Sequence, residues 1–141
     1  MTIRTAPGAR TSVMPKGLRV GAWPVTSTFS LGAGQSLSAG DIIQMIRVPA
    51  NASVVYLAVL STNGDTSFGV GDDVSVNRYL TTVTRSTAQG WLTINQPAPG
   101  YTYSTEDTID LGITLASITS IAGGFQVRAI LSMDPGNYGP T

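Results

Sequence analysis

Phe125-Gln126-Val127-Arg128-Ala129-Ile130-Leu131-Ser132-Met133 places an apolar residue at every second position, and Ile109-Asp110-Leu111-Gly112-Ile113-Thr114-Leu115 does the same. A period of two puts Phe125, Val127, Ala129, Leu131 and Met133 on one face of an extended strand, and Ile109, Leu111, Ile113 and Leu115 on one face of another. Strands of this kind need a second apolar layer to cover them, so the fold they announce is all-β. The connection through residues 120 to 124 is short enough for the two to pair as a hairpin.

Upstream, residues 41 to 48 and 53 to 61 flank Pro49-Ala50-Asn51-Ala52, a turn-forming tetrapeptide. The run 53 to 61 is apolar almost throughout, as expected of a strand buried on both faces or at a subunit contact. Shorter runs at 26 to 31, 66 to 70, 79 to 84, 91 to 95 and 101 to 103 bring the total to about eight or nine strands. That number and spacing predict a single β-sandwich or jelly-roll-like domain over residues 26 to 134, followed by a tail at 135 to 141. No helical stripe with caps is visible.

Residues 1 to 25 carry Pro7, Gly8, Pro15, Gly17, Gly21 and Pro24 without sustained periodicity and read as an extended N-terminal arm. The first forty residues hold Arg4, Arg10, Lys16 and Arg19 and no acid. The remainder sets Arg47, Arg78, Arg85 and Arg128 against eight carboxylates, so a zero net charge conceals a basic arm on an acidic body. Arg4, Arg10, Met14, Lys16, Leu18, Arg19 and Trp23 are therefore the candidates for contacting a neighbouring surface. The cations would be drawn to acidic patches and the apolar side chains would anchor. At ~3.3 Å per residue the arm could reach an adjacent subunit.

Composition narrows the chemistry. The chain has no cysteine and no histidine, which removes disulfides, thiolate and imidazole metal ligands, and the commonest general base. Charged residues make up 11% of it, less than half the usual share, which suggests a surface largely covered in an assembly. No run approaches the ~20 apolar residues of a membrane span, and the basic N-terminus lacks the apolar core of a secretory signal.

Candidate sites each have a plainer reading. Asp65, Asp72 and Asp73 among glycines at 64 to 73 could offer oxygen ligands to a hard cation, but they fit no EF-hand spacing and suit turns at strand ends. Glu106, Asp107 and Asp110 could be imagined as paired catalytic acids. Asp110, however, lies opposite the apolar face of its strand, and residues 105 to 107 read as a solvated turn. No Gly-x-Ser-x-Gly accompanies the serines. Trp23, Trp91, Tyr101, Tyr103 and Tyr138 would stack on sugars only if they shared an exposed face, and packing is the commoner use. Four cations in one arm are too sparse for nucleic acid.

The order Gly40-Asp41-Ile42-Ile43, Val48-Pro49-Ala50-Asn51-Ala52, Gly69-Val70-Gly71-Asp72 with Arg78-Tyr79, Tyr101-Thr102-Tyr103 with Glu106-Asp107-Thr108-Ile109-Asp110, and Ala122-Gly123-Gly124 resembles the head decoration, or cement, proteins of tailed phages. The resemblance covers residues 26 to 133, departs at Tyr79 where Phe is expected, and leaves the arm unmatched. It implies a non-enzymatic β-sandwich without cofactors that binds the outer surface of the mature head and stabilises contacts between capsomers. Its partners would be the major capsid protein and copies of itself, as a homotrimer, with no nucleic acid and no membrane. The implied location is the capsid surface of the virion, and the host cytoplasm during assembly. The rival expectation is a head-fibre or tail-associated sandwich that binds host glycans.

Overall fold

The computed structural model describes residues 2–10, 21–31, 35–61, 66–85, 90–94, 101–116 and 124–133. Its strands are β1 (Ile3–Thr5), β2 (Gly21–Ser30), β3 (Ile42–Val48), β4 (Ala52–Ser61), β5 (Thr66–Gly71), β6 (Leu80–Arg85), β7 (Leu92–Thr93), β8 (Asp107–Ala116) and β9 (Gly124–Met133). One helical turn, α1 (Pro7–Arg10), follows β1. The strands form two sheets, ordered β1-β3-β8-β5-β6 and β2-β9-β4-β7. Every pairing is antiparallel except that of β1 with β3. From β2 onward the chain changes sheet at each connection except β5 to β6, and the resulting eight-stranded order is that of a jelly roll.

The alternation read from the sequence places residues correctly and misassigns one partner. β9 buries Phe125, Val127, Ala129, Leu131 and Met133, and β8 buries Ile109, Leu111 and Ile113. The two strands do not form the expected hairpin: β8 lies between β3 and β5, and β9 lies between β2 and β4 in the opposite sheet. An apolar face is satisfied equally well by a strand beside it or by a sheet across the core, and here the second arrangement holds. Residues 120 to 123 of the expected turn lie outside the described residues. Across the interior the Phe68 ring on β5 meets the Phe125 ring on β9 edge-on, with centroids 5.4 Å apart and planes at 73°. Ile43, Met45, Ile46, Leu57 and Leu111 fill the space around them and are fully buried. Each such side chain contributes about 1.5–3 kcal/mol by leaving water.

Residues 2–10 and 21–25 of the expected arm are built into the domain instead of standing apart from it. β2 begins at Gly21, not near residue 26, with Trp23, Val25, Ser27 and Phe29 inward and Pro24, Thr26 and Thr28 outward. Pro24 is accommodated because β2 is the edge of its sheet. β1 extends the other sheet in the register Ile3 to Ile42, Arg4 to Ile43 and Thr5 to Gln44. α1 then packs over β2 and β3, burying Ala6 and Ala9 completely.

The run expected to be buried on both faces or to lie at a subunit contact, β4, is buried on both faces only over Leu57, Ala58 and Val59. A bulge between Val54 and Tyr56 leaves Val55 and Tyr56 exposed on successive positions. The outer edge of β4 is met by β7 at Ala58 and Val59 and by a single bridge from Thr102 to Ser53, which is all that remains of the strand expected at 101 to 103. Asn51, at φ 71°, makes the turn from β3 into β4, and its N–H donates to the Tyr103 carbonyl at 2.6 Å.

Candidate assembly surface

Between β5 and β6 the chain folds back over the outer face of the five-stranded sheet, and glycine permits it. A Cβ on Gly71 would lie 2.0 Å from the Ser75 carbonyl oxygen, and one on Gly69 would lie 2.2 Å from Asn77 Oδ1. With no side chains at those two outward positions, residues 72 to 79 lie flat on the sheet.

Asp72 anchors this loop. It is fully buried, and its carboxylate accepts hydrogen bonds from the Val74 N–H at 3.1 Å, the Ser75 N–H at 2.8 Å and the Tyr103 hydroxyl at 2.9 Å, besides pairing with Arg78. Burial alone would raise the pKa of Asp72, but the Arg78 guanidinium, the Ser75 N–H and the Tyr103 hydroxyl together hold it below the ordinary carboxylate value. Tyr79 hydrogen-bonds the Tyr103 hydroxyl, and burial pushes both phenols upward. Arg78 also stacks on the Tyr101 ring, 3.8 Å from its centroid, and Tyr101 meets Tyr103 edge-on. The residues 69 to 73 and 101 to 110, read separately in the sequence, are one structure.

Asp110 completes the corner and corrects an expectation. It does point away from the core, but the loop covers it and leaves it 2% exposed. Its strand neighbours are Gln44 and Gly71, both uncharged, and Thr108 donates its hydroxyl to it at 2.6 Å. Burial, reinforced by hydrogen bonding to Asp73 and by the charges of Asp73 and Asp107, pushes Asp110 up to about 8. It is thus a buried acid that keeps its proton near neutrality. Asp107 is not a freely solvated turn residue either: it is half-buried, which raises it, and it accepts from the Thr108 N–H at 2.7 Å. Glu106 is exposed and paired with Arg47. The group is a fastening for the loop, and among the described residues no three acidic side chains converge in a way that would hold a metal ion.

What the loop presents is apolar. Val74 is 80% exposed and Val76 49% exposed. Val76 overhangs Gly112 and joins Gly40, Asp41, Ile42, Asn77, Ile113 and Thr114 around a hollow of about 280 Å³. Ile42 stands between Gly112 on β8 and Ile3 on β1, and Ile3 is itself 55% exposed. An apolar band therefore crosses the outer face of this sheet, with Asp73 and Glu106 exposed on the same loop cluster. Exposed apolar side chains gathered on one face make it a candidate contact surface.

The contact candidates from the sequence are placed unevenly. Arg4 lies on β1 and donates to the Ser36 carbonyl at 3.0 Å, and Arg10 ends α1. Trp23, 3% exposed, belongs to this chain's own core and is corrected from a contact residue to a packing residue. Met14, Lys16, Leu18 and Arg19 lie outside the described residues, as do Asp65, Tyr138 and the tail at 135 to 141. Of the aromatics singled out in the sequence, Trp23 and Tyr103 are buried, Tyr101 carries Arg78, and Trp91 is covered by Arg128 at 4.1 Å. Sequence reasoning missed Val74 and Val76, whose signal was two valines in a loop otherwise made of polar turn residues.

The fold is a jelly roll with one added parallel strand, and it has solved counterparts. No protein-family model matches the sequence, and neither does any curated protein. Among solved structures, the chain is similar to one in the capsid of Ralstonia phage GP4, with a TM-score of 0.71 and 17% identity over 94% of this chain and 99% of that one. It is also similar to a chain in the capsid asymmetric unit of cyanophage Pam1, with a TM-score of 0.64 and 17% identity over 89% and 94% of the two chains. A third similarity is to a chain in the acidic stable capsid structure of Helicobacter pylori bacteriophage KHP30, with a TM-score of 0.57 and 15% identity over 79% and 87%. At these identities the likeness is one of fold.

Proposed function

We propose that this chain is a structural protein of a phage head, a decoration or cement protein that binds the outer surface of the capsid and holds neighbouring capsomers together. The observation that carries the reading is the correspondence, over almost the whole of both chains, with a chain of the Ralstonia phage GP4 capsid. The exposed apolar band and the fastened loop support it, since a rigid, partly apolar face suits non-covalent adhesion. The major capsid protein is the partner, with further copies of this chain completing a homotrimer. Arg4, Arg10, Lys16 and Arg19 supply attraction to acidic surface, and Met14 and Leu18 supply apolar contact. No step of this role needs catalysis. A ligand that binds only the assembled shell stabilises it by mass action, and many repeated weak sites stiffen the whole.

The test is addition of purified protein to undecorated capsids of its phage, followed by cosedimentation and imaging. Saturable binding with ordered density on the outer surface, and a raised capsid disruption temperature, are expected. Absence of binding at micromolar concentration would remove the proposal. The glycan-binding alternative has no specific observation in its favour, because Trp23 and Tyr103 are buried and Tyr101 and Trp91 are each stacked by an arginine.

A further inference from the structure

Asp110 on β8 and Asp73 in the overlying loop are joined by a hydrogen bond between two carboxyl groups, and such a bond exists only while one of them carries a proton. Asp110 is the member that holds it. It is 2% exposed, and a buried carboxyl without a counter-charge keeps its proton where a solvated one gives it up. The Thr108 hydroxyl donates to Asp110 Oδ1 at 2.6 Å, leaving Oδ2 to carry the proton.

The groups around Asp110 supply no cation in its place. On β3 its register partner is Gln44, and Arg47, further along, pairs with Glu106 and donates to the Ala9 carbonyl at 3.0 Å. On β5 the neighbour is Gly71. In the loop, Arg78 is committed to Asp72, which also accepts from Tyr103. On β8 itself stands Asp107, which accepts from the Thr108 N–H at 2.7 Å and the Asp73 N–H at 3.4 Å. After burial, the charges that act on Asp110 are those of Asp73 and Asp107, both negative. Removing the proton would therefore set three carboxylates against one another beneath a loop that lies flat only because Gly69 and Gly71 carry no side chain.

The loop is tethered at both ends and held in the middle through this pair. At one end Asp72 is tied to Tyr103, and at the other the Tyr79 N–H donates to the Val70 carbonyl at 2.9 Å. Between them, Val76 and Asn77 form one wall of the apolar hollow over Gly112. We propose that residues 73 to 77 are a proton-held latch: protonated Asp110 fastens them to β8 through Asp73, and loss of that proton lets them lift while the ends stay tied. The hollow and the Val74–Val76 surface are then displayed in their closed form only while the proton is held. The latch stands on this chain alone, so a failure to bind capsids leaves it untouched.

Solvent exchange of the loop amides tests it. The N–H groups of Asp73, Val74 and Ser75 all end on carboxylates of the cluster, so their exchange reports whether the turn is held. Corrected for the intrinsic effect of pH, their protection should fall by up to about tenfold per pH unit from about pH 5.5 to 7.5 and level off above about 8, where Asp110 is ionised in both states. Asp110→Asn, which keeps a donor toward Asp73 and cannot ionise, should remove the fall. A second variant closes the latch covalently. A Cβ on Gly112 would lie 3.9 Å from Val76 Cβ, within the span of a disulfide, and the chain has no cysteine to compete, so oxidised Val76→Cys/Gly112→Cys should also lose the dependence on pH. Protection that stays constant with pH, a fall that persists in Asp110→Asn or in the oxidised pair, or failure of that pair to close at about pH 5.5 would each overturn the latch. So would equal protection in the loop and in β9, since the loop would then open only when the whole domain unfolds.

Discussion

Tyr103 donates its hydroxyl hydrogen to the buried carboxylate of Asp72 at 2.9 Å, tying the segment before β8 to the loop that follows β5. Two stretches more than thirty residues apart are thereby fixed at one corner. Tyr103→Phe should lower unfolding stability by about 1–2 kcal/mol, the usual cost of leaving one acceptor of a buried carboxylate without its partner. Asp72→Asn should cost more, about 3–5 kcal/mol, because it strips the partly buried Arg78 of its counter-charge. Urea denaturation of the three proteins checks the order, and equal midpoints would contradict the anchoring role.

The buried acid at Asp110 gives stability an uncommon dependence on pH. Its folded value of about 8 lies above that of an unfolded aspartate, so its contribution is complete below about pH 4 and is lost as pH rises through about 8. Asp72 and Asp41 act oppositely. The Arg78 and Tyr103 contacts that overcome burial at Asp72, and the Ser38 and Thr2 N–H groups at Asp41, lower their values, so what they contribute is lost as pH falls below the ordinary carboxylate range. Between pH 4 and 8 stability should therefore decline with rising pH, by up to about 1.4 kcal/mol per unit. Asp110→Asn should flatten that decline, and urea midpoints measured from pH 5 to 9 read it directly.

Gly71→Ala places a methyl group against the Ser75 carbonyl and the Val76 backbone, which cannot rotate away. A loss of about 1–3 kcal/mol is expected from the forced shift of the loop. Hydrogen exchange should rise at residues 72 to 79 more than in β9, and uniform protection would contradict it.

Val74→Asp changes a side chain that is 80% exposed, so folding stability should move by no more than about 0.5 kcal/mol. Capsid cosedimentation should nevertheless weaken at least roughly tenfold if Val74 enters a desolvated contact, the loss expected on truncating an interface anchor. Unchanged binding would remove the loop from the interface.

Deleting residues 1 to 25 would not isolate the effect of charge, because β1, α1 and half of β2 would go with them. The triple substitution Arg10→Gln, Lys16→Gln and Arg19→Gln removes cations and keeps the chain. Capsid binding should become weaker and less dependent on salt between 50 and 300 mM, roughly the range over which screening of surface charge is strongest. Identical salt curves would remove these three residues from the proposed contact.

Strand positions were legible where alternation ran unbroken. β8 and β9 were read to within about two residues, and β3 and β4 were delimited by the turn at Pro49 and Asn51. The start of β2 was not, because Gly21 and Pro24 punctuate a pattern that Trp23, Val25 and Phe29 in fact continue. β1 and α1 are too short to show a period, and backbone pairing to β3 defines them. Partners across the core are invisible to periodicity, which reports a face and not a neighbour. The carboxylate corner was divided between two stretches in the sequence. Its only sign was glycine at 69 and 71, where the close approach of a returning loop excludes any other side chain.

The interrupted outer edge of β4 has a consequence for strand addition at that edge. Among the described residues its hydrogen-bonding groups are met in patches by β7 and by the Thr102 bridge, and the bulge at Val54 and Tyr56 breaks the repeat between them. An edge so broken offers no continuous template for adding a strand along β4.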